Sequence, residues 1–375
     1  MVKKVKTLKS GYFTFSQKYD NDHLKDLLSD SRFLYNSIID LPILPRVFSQ
    51  LEEEIIRRSI HGTAALEGNP LSEEQVGEII SHSDKTQYTE RVEREIVNLE
   101  VAYEILRDIT PSEQTYSINE KIIKNIHKVI TNNIKSEGNE PGRYRNYSVK
   151  VGDKEHGGTY TPPKIYKDIE VLMKECIEFV NCDEIIRLDP VLRAALAHYH
   201  FARIHPFGDG NGRTARLIEA LLIQVTGIKY FPTMLSNYYY RNMDDYYWAF
   251  SLAGKNKEND VTPFLEFVLK GVIESLETIK GRIIGFIRTA TLQEYFSNLK
   301  SDKQITRRQY YLLNILLKNP YPFSLSDLLD NAPFNILYRN FTERTARRDI
   351  KKLQKMNLLN VLKNGTYELN MRVLG

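Results

Sequence analysis

One stretch of the chain, from His205 to Arg216, constrains its fold and chemistry more than any other. It reads HPFGDGNGRTAR and is followed at once by the apolar run LIEALLI. Glycines at alternate positions permit backbone conformations that other residues disfavour, and arginines three residues apart lie on the same side of a helix. The pattern therefore predicts a loop that enters the N-terminus of a buried helix.

Such a loop is suited to bind a polyphosphate. The N–H groups at the start of a helix lack intrahelical partners and lie at the positive end of the helix dipole. Gly208, Gly210 and Gly212 would let the backbone approach a ligand closely. Arg213 and Arg216 would add two guanidinium groups, which match the geometry of phosphate oxygens.

The remaining polar residues of the loop predict a metal ion and a base. Asp209 would repel phosphate unless a cation lay between them, and Mg²⁺ binds one or two carboxylates and completes its shell with phosphate oxygens and water. His205 is placed to take a proton from an incoming hydroxyl group. Asn211 is expected to cap the following helix.

The stretch resembles the motif of the Fic family, His-x-Phe-x-(Asp or Glu)-Gly-Asn-Gly-Arg-x-x-Arg, at every fixed position. The resemblance implies a protein adenylyltransferase, which transfers AMP from ATP to a hydroxyl group of a target protein. It also implies that His205 is the general base, that Asp209 binds Mg²⁺ and that Phe207 anchors the loop in the core. The implied phosphate site consists of Gly210, Asn211 and Gly212, with Arg213 and Arg216 holding the β- and γ-phosphates.

Two metal-site interpretations compete with this one. The segment from Asp209 to Gly212 is similar to the opening of a calcium loop, but Arg213 stands where such a loop needs an oxygen ligand. His198, His200 and His205 would suit a metal-dependent hydrolase, although their spacing fits no zinc pattern. We interpret His198 and His200 as residues of the core or of the surroundings of the site.

A second segment, from Thr63 to Gly68, reads TAALEG and ends a predicted helix. Taken alone, it is a helix end with one acidic residue. It resembles the inhibitory motif of Fic proteins, (Ser or Thr)-x-x-x-Glu-(Gly or Asn). The resemblance implies that Glu67 pairs with Arg216, occupies the guanidinium group meant for the γ-phosphate and holds the enzyme largely inactive.

Two further regions are expected near the site. Residues 142–163 predict a β-hairpin, because polar and apolar residues alternate between turn signals. Fic proteins carry such a flap over the active site, where a strand edge would align a target segment; a surface hairpin without a partner is the alternative. The resemblance also implies that Tyr239, Asn242 or Tyr246 contacts the base or ribose, although tyrosine stripes commonly pack in cores.

The periodicity of the remaining chain predicts a mainly α protein. The resemblance implies a Fic-fold helical core with a β-hairpin flap, and the order of the last elements resembles a C-terminal winged helix-turn-helix. We expect a peripheral helical layer in residues 1–45, and capping boxes at Ser72 with Gln75 and at Ser117 with Glu120. The predicted domains are an N-terminal helical region with the inhibitory helix (1–110), the Fic catalytic core with the following helices (111–299) and the winged helix-turn-helix (300–375).

The third helix predicted in the C-terminal domain is strongly basic. It predicts DNA as a partner, because such a helix can neutralise phosphates and enter a major groove. A solvated charged face on a protein-interaction module is the alternative. The basic residues, opposed only by Glu343 and Asp349, are Arg339, Arg344, Arg347, Arg348, Lys351, Lys352 and Lys355.

The composition of the chain predicts the cellular compartment in which the protein is found. It contains two cysteines, which fit reduced thiols better than a disulfide framework. No apolar run reaches the length of a membrane span, and no apolar signal core follows the N-terminal lysines. We therefore expect a cytoplasmic protein without a membrane partner, although secretion without a signal would leave the same pattern.

The expected reaction is Mg²⁺-dependent transfer of AMP from ATP to Ser, Thr or Tyr. Phosphate transfer is disfavoured because family members that phosphorylate replace the segment that is intact here from Gly210 to Arg213. Two alternatives stay open: removal of AMP from targets, with Glu67 activating water, and a DNA-binding regulator whose core senses ATP. The sequence also leaves open the target, self-modification and a homodimer.

Overall fold

The computed structural model describes residues 1–43, 45–109, 116–228 and 231–374, without the side chains of Arg46, Phe231, Pro232 and Thr233. The chain divides into two compact units, Met1–Lys280 and Gly281–Gly375. The fold is mainly α, as predicted from the sequence. No helix in the described ranges combines the length and the apolar composition that a bilayer crossing requires.

The first unit consists of one hairpin followed by helices. The last helix continues into the second unit. The elements are β1 (Val2–Lys6), β2 (Tyr12–Ser16), α1 (Asn21–Ile39), α2 (Pro45–Ala65), α3 (Glu73–Ser81), α4 (Arg91–Arg107), α5 (Glu120–Ile130), α6 (Tyr166–Val180), α7 (Asp183–Ile186), α8 (Pro190–Ile204), α9 (Asn211–Gln224), α10 (Phe231–Arg241), α11 (Met243–Lys255) and α12 (Thr262–Ser301).

The N-terminal region is not entirely helical, so the expected helical layer is wrong for its first residues. Strands β1 and β2 pair antiparallel, from Val2 opposite Ser16 to Lys6 opposite Tyr12. The buried carboxylate of Asp168 in α6 accepts hydrogen bonds from the N–H groups of Leu8 (2.7 Å) and Lys9 (3.1 Å) in the turn. This contact is remote in sequence, so no local pattern reveals it.

Helices α8 and α9 form the centre of the first unit. Nearly every residue of both helices is buried, whereas most other helices bury only one face. A helix that is apolar on all sides belongs to a core rather than to a surface. Because these two helices flank residues 205–210, the loop predicted to bind phosphate is supported by the best-packed part of the unit.

Side-chain caps set several helix boundaries. The predicted capping box at Ser72 and Gln75 is confirmed at the start of α3. The one expected at Ser117 and Glu120 is wrong, because Asn119 caps α5 by accepting a hydrogen bond from the N–H of Ile122 at 3.0 Å. Asparagine is as good a cap as serine, and the two candidates lie two residues apart.

The second unit has its own core. Leu292, Phe296 and Leu299 near the end of α12 pack into it, and the unit therefore begins within that helix rather than at residues 300–303. Its other elements are α13 (Arg307–Lys318), α14 (Leu325–Asp330), α15 (Phe334–Tyr338), α16 (Glu343–Lys355), β3 (Leu359–Val361) and β4 (Tyr367–Leu369).

Candidate functional site

The loop between α8 and α9 is held by left-handed residues at both ends. His205 ends α8 with a φ of 51°, and Gly210 precedes α9 with a φ of 74°. Buried Arg145 fixes the loop from outside: its Nε donates to the carbonyl oxygen of His205 (2.8 Å), and its N–H donates to that of Pro206 (3.0 Å). The loop backbone therefore has a defined path before any ligand binds.

Phe207 anchors this loop in the core. Its side chain is fully buried and stacks on the ring of His127, with centroids 3.6 Å apart. The side chain of Asn211 accepts a hydrogen bond from the N–H of Phe207 and donates one to its carbonyl oxygen, both at 2.9 Å. The expectation that Asn211 caps α9 is therefore wrong, because Gly210 takes the cap position and the amide braces the loop.

His127 is a site residue that sequence reasoning missed. Its Nδ1 accepts the N–H of Gly142 (2.9 Å), so its Nε2 carries the hydrogen that is donated to the carbonyl oxygen of Asp209 (2.9 Å). Burial lowers the pKa of His127 to about 4 and keeps the ring neutral. The available signal was its position between Ile126 and Ile130 on the apolar face of α5.

The glycines of the loop serve different contacts. A Cβ on Gly208 would lie 2.6 Å from the carbonyl oxygen of Gly138, so this glycine permits close backbone packing. A Cβ on Gly212 would lie 2.1 Å from Oε1 of Glu67. Because Gly212 has no side chain, there is room at the start of α9 for the carboxylate of Glu67, which lies there.

The structure brings the predicted inhibitory residues to the predicted phosphate site. Nη2 of buried Arg216 donates to Oε1 of Glu67 (2.7 Å) and to the carbonyl oxygen of Thr63 (3.1 Å). Gly68 follows with a φ of 84° and turns the chain away. Burial would raise the pKa of Glu67, but Arg216 and Arg213 outweigh it and hold this pKa below its usual range.

The other arginine of the loop lies between two carboxylates. Arg213 is fully buried; its Nη2 donates to Oδ1 of Asp209 (2.9 Å), and its Nη1 lies 3.5 Å from Oε1 of Glu95. Oδ2 of Asp209 accepts a hydrogen bond from Nη2 of Arg91 at 3.0 Å. Sequence reasoning missed Arg91 and Glu95, because they lie on α4, more than a hundred residues before the loop.

Asp209 fits a magnesium ion that is shared with phosphate. Burial would raise its pKa, but Arg213 and the N–H of Gly210 outweigh it, so the pKa lies below its usual range. Within the described ranges, no group of three or more His, Cys, Asp or Glu residues could hold a metal ion. A cation at Asp209 would therefore complete its shell with phosphate oxygens and water, as Mg²⁺ does in nucleotide sites.

His198 and His200 do not form a metal site with His205. Nε2 of His198 lies 2.9 Å from the hydroxyl of Tyr246, and its Nδ1 lies 3.1 Å from Oε2 of Glu219. Nε2 of His200 lies 2.9 Å from the carbonyl oxygen of Ser16. Both rings are fully buried, which agrees with their interpretation as core residues.

A cavity of about 420 Å³ opens beside the loop. Its lining includes Glu67, His205 and Arg216, so the predicted base and the paired arginine face the same space. Most of the remaining lining comes from the hairpin at residues 151–160 and from α11, chiefly Tyr246, Tyr247 and Phe250.

Of the three residues considered for base or ribose contacts, only Tyr246 lines this cavity. Tyr239 is fully buried behind it and donates its hydroxyl to Oε1 of Glu219 at 3.0 Å. The amide of Asn242 donates to the carbonyl oxygen of Tyr238 at 3.0 Å. The helix breaks at Asn242, so Tyr239 in α10 and Tyr246 in α11 belong to different helices, and helical spacing cannot relate them.

The flap is shorter than the predicted hairpin. Val151 and Tyr160 exchange both backbone hydrogen bonds, at 3.0 and 2.8 Å, and no longer strand forms in the described part of residues 142–163. The tip is fastened to α11, because Nε2 of His156 lies 3.1 Å from Oδ1 of Asp244 and Lys255 donates to the carbonyl oxygen of Gly157. The flap therefore forms one wall of the cavity.

The electrostatic surroundings keep the His205 imidazole neutral. Burial is the main cause and the positive charge of Arg145 adds to it; together they lower the pKa of His205 to about 4. A neutral imidazole can accept a proton from a group that enters the cavity.

Residues 117–223 match the model of the Fic/DOC family. The curated relatives include protein adenylyltransferase fic-1 of Caenorhabditis elegans, which is 30% identical over 233 residues, or 62% of this chain and 42% of the relative. Protein adenylyltransferase Fic of Culex quinquefasciatus is 28% identical over 220 residues, or 58% and 40% of the two chains. The chain thus spans less than half the length of these relatives.

Solved structures agree with this match. A fragment of Fic-1 from C. elegans superposes with a TM-score of 0.58 at 25% identity, over 72% of this chain and 74% of that one. A Fic family protein from Desulfovibrio desulfuricans G20 shares the fold with a TM-score of 0.55 at 20% identity, over 92% and 95% of the two chains. The matched residues include α8, the loop and nearly all of α9, so the similarity to the Fic/DOC family covers the candidate site itself.

Proposed function

We propose that this protein transfers AMP from ATP to the hydroxyl group of a serine, threonine or tyrosine of a target protein, and that Glu67 restrains the reaction. The observation that carries the proposal is the shared cavity, where neutral His205 and the buried, paired Arg216 face the same space. Two of the relatives that the chain resembles are named protein adenylyltransferases, which supports the same reaction.

ATP would bind with its phosphates at the N-terminus of α9. Arg216 and Arg213 would face the terminal phosphates, and the free N–H groups of the first turn would face their oxygens. Asp209 would hold Mg²⁺, which neutralises phosphate charge and polarises phosphate oxygens when it is bound. Tyr246 and its neighbours on α11 would enclose the nucleoside.

The chemical step would use His205 as the base. The target oxygen attacks the α-phosphorus, the bond from that phosphorus to the bridging oxygen breaks, and pyrophosphate leaves with the electron pair. The hydroxyl proton passes to a ring nitrogen of His205, which is neutral before the step. Negatively charged phosphate beside the ring raises its pKa, so the imidazole becomes a stronger base once ATP is bound.

Glu67 would restrain this step by standing in the phosphate site. Its carboxylate pairs with Arg216 and fills the space above Gly212. Both contacts are ones that an anionic phosphate would make, so Glu67 and the γ-phosphate compete for one guanidinium group. ATP can then bind only weakly, or with its α-phosphate away from His205.

Labelled ATP tests the proposal. We expect the purified full chain with Mg²⁺ and α-³²P-ATP to incorporate label into itself or into an added target, and γ-³²P-ATP to leave none. His205→Ala should lower incorporation by about 10² to 10⁴. As a matched control, His82→Ala removes a histidine that is exposed and does not line the cavity, and it should leave incorporation unchanged.

Two results would contradict the proposal. Label retained from γ-³²P-ATP would indicate phosphate transfer instead. Incorporation that is equal in the His205→Ala variant and in the unchanged chain would exclude His205 as the base. Mass spectrometry of the modified protein distinguishes AMP from phosphate by the mass that is added, and it locates the acceptor residue.

A further inference from the structure

Helix α16 of the second unit carries a stripe of exposed basic side chains. Arg344, Arg347, Arg348, Lys351 and Lys355 are all exposed. Arg344, Arg348, Lys351 and Lys355 follow one another at intervals of three or four residues and therefore share one face of the helix, and Arg347 lies beside Arg348. Ala346, Ile350 and Leu353 lie on the opposite face, buried in the core of the unit. The orientation of α16 is thus fixed by packing, and its cations point away from the core.

One of the two acidic residues of α16 does not lie on the exposed basic face. Asp349 is buried, where its carboxylate accepts hydrogen bonds from Arg308 (2.7 Å), Gln309 (2.9 Å) and Tyr338 (3.2 Å). Glu343 stays exposed and pairs with Arg347. The stripe is therefore more positive than the helix sequence suggests.

The second unit as a whole is also positively charged. Residues 281–375 contain sixteen Lys and Arg against seven Asp and Glu, a formal charge of +9, whereas the complete chain carries +4. The first 280 residues therefore carry −5. Such an asymmetry between two parts of a chain is typical of nucleic-acid binding.

The topology places α16 where a DNA-reading helix lies in a winged helix-turn-helix. It follows α13, α14 and α15, and it precedes the β3–β4 hairpin. Phe323, before α14, exchanges backbone hydrogen bonds with Tyr367 of β4 at 2.8 and 2.7 Å, which adds a third short strand. Lys363 is exposed in the hairpin turn, beside the end of β3.

We propose that the second unit binds double-stranded DNA, with α16 in the major groove and its basic stripe on the phosphates. A helix fits the width of that groove, and arginine and lysine contacts to phosphate release counterions. The β3–β4 hairpin would contact the adjacent backbone through Lys363. This proposal is independent of the AMP transfer that we propose for the other unit.

Fluorescence anisotropy with labelled duplex DNA of about 20 base pairs, two helical turns, tests this. We expect the full chain, without ATP, to bind at about 50 mM salt with a Kd in the micromolar range. Four phosphate contacts would weaken binding about a hundredfold between about 50 and 200 mM salt, with a slope of about −0.9 per contact. Arg348→Gln with Lys351→Gln should reduce this slope by about two.

Matched variants separate a specific surface from general charge. Arg288→Gln with Lys318→Gln removes the same net charge from exposed positions of the unit outside α16, and it should keep most of the binding. His205→Ala should bind DNA as the unchanged chain does. No binding at about 50 mM salt with up to about 100 μM protein, or equal losses in both double variants, would overturn the proposal. Selective capture of an acidic protein, with DNA left unbound, would overturn it in favour of a protein partner.

Discussion

The cations of the two units stand in opposite surroundings. At the start of α9 in the first unit, Arg213 and Arg216 are buried, and each lies beside a carboxylate of the chain itself. On α16, five of the six cations are exposed, and of the two acidic residues in that fully described helix one is buried in the core. Similar residue types thus meet internal partners in one unit and solvent in the other.

This difference follows from the cost of burying charge. A buried guanidinium group without a partner loses its hydration and gains nothing in return, so it requires a carboxylate or a ligand. An exposed cation keeps its hydration and therefore needs no carboxylate partner in the folded chain. Glu67 supplies such a carboxylate to buried Arg216 at the proposed phosphate site, whereas the exposed cations of the proposed DNA site need no internal partner.

Breaking a buried pair should have the largest effect. Glu95→Ala removes a buried partner of Arg213 and leaves Asn69 without the acceptor that it contacts at 2.9 Å. We expect a loss of about 3–5 kcal/mol in the free energy of unfolding. Glu343→Ala, which breaks the exposed pair with Arg347, should cost less than about 1 kcal/mol.

Urea unfolding measures both changes. Trp248 is the single tryptophan of the chain and lies in the first unit, so its fluorescence follows the Glu95→Ala variant. Circular dichroism follows the Glu343→Ala variant. Equal shifts in the two variants would show that burial does not separate the two kinds of pair.

Burial should also keep the imidazole of His205, in the first unit, uncharged. The pKa of His205 is lowered to about 4, mainly by burial, whereas the hydrogen bonds that His156 donates to Asp153 raise the pKa of His156 at the flap. NMR titration of the ring protons should show His156 titrating above pH 6.5 and His205 staying neutral to about pH 5. A midpoint for His205 near pH 6.5 would contradict this account.

The lowered pKa of His205 makes the stability of the folded chain depend on pH. The unfolded chain binds a proton at His205 near pH 6.5, whereas the folded chain does so only near pH 4. The contribution of this group to stability is therefore complete above pH 6.5 and is lost as the pH falls toward 4. His127, whose pKa is also lowered to about 4, should act in the same direction.

Removing the internal partner of Arg216 should release the phosphate site. Glu67→Gly deletes a charge-assisted hydrogen bond worth about 1.5–3 kcal/mol, so we expect AMP incorporation to rise about 10- to 100-fold. The measurement is incorporation of α-³²P-AMP at saturating Mg²⁺. Glu74→Gln, at an exposed position of α3, is the control and should have no effect. Equal incorporation in the Glu67→Gly variant and the unchanged chain would exclude inhibition by Glu67.

The smallest effect is expected at a pair that is only partly buried. Arg91, whose side chain is 54% exposed, occupies Oδ2 of Asp209 and would have to leave it to a metal ion. Arg91→Gln should therefore tighten binding of Mn²⁺ with ATP up to about fivefold, equivalent to less than about 1 kcal/mol. Electron paramagnetic resonance of free Mn²⁺ measures this without turnover, and Arg143→Gln, at an exposed position, is the control. Weaker Mn²⁺ binding in the Arg91→Gln variant would contradict this competition.

The sequence predicts those parts of the site that are continuous along the chain. The stretch from His205 to Arg216 carries its own glycines, base, acid and arginines, and the helix starts at Asn211. The short motif that ends at Gly68 is equally local. Its contact with Arg216 became predictable only through the resemblance to a family, because nothing in the pattern relates residues that are 149 positions apart.

Contacts between remote elements could not be predicted from local patterns. Arg91, Glu95, His127 and Arg145 reach the loop or the start of α9 from other helices and from the segment before the flap, and nothing in their local sequence relates them to it. The N-terminal hairpin was missed for the same reason, since Asp168 in α6 holds its turn.

The position of Glu67 depends on how α2 meets α10. A Cβ on Gly62 would lie 2.7 Å from Cα of Asn237, so the two helix backbones touch with no side chain between them. Glu67 is two residues beyond the end of α2, so the close packing of α2 against α10 positions its carboxylate. A shift of α2 along α10 would therefore carry Glu67 away from Arg216, so a ligand that moves either helix would change the proposed inhibition without entering the cavity.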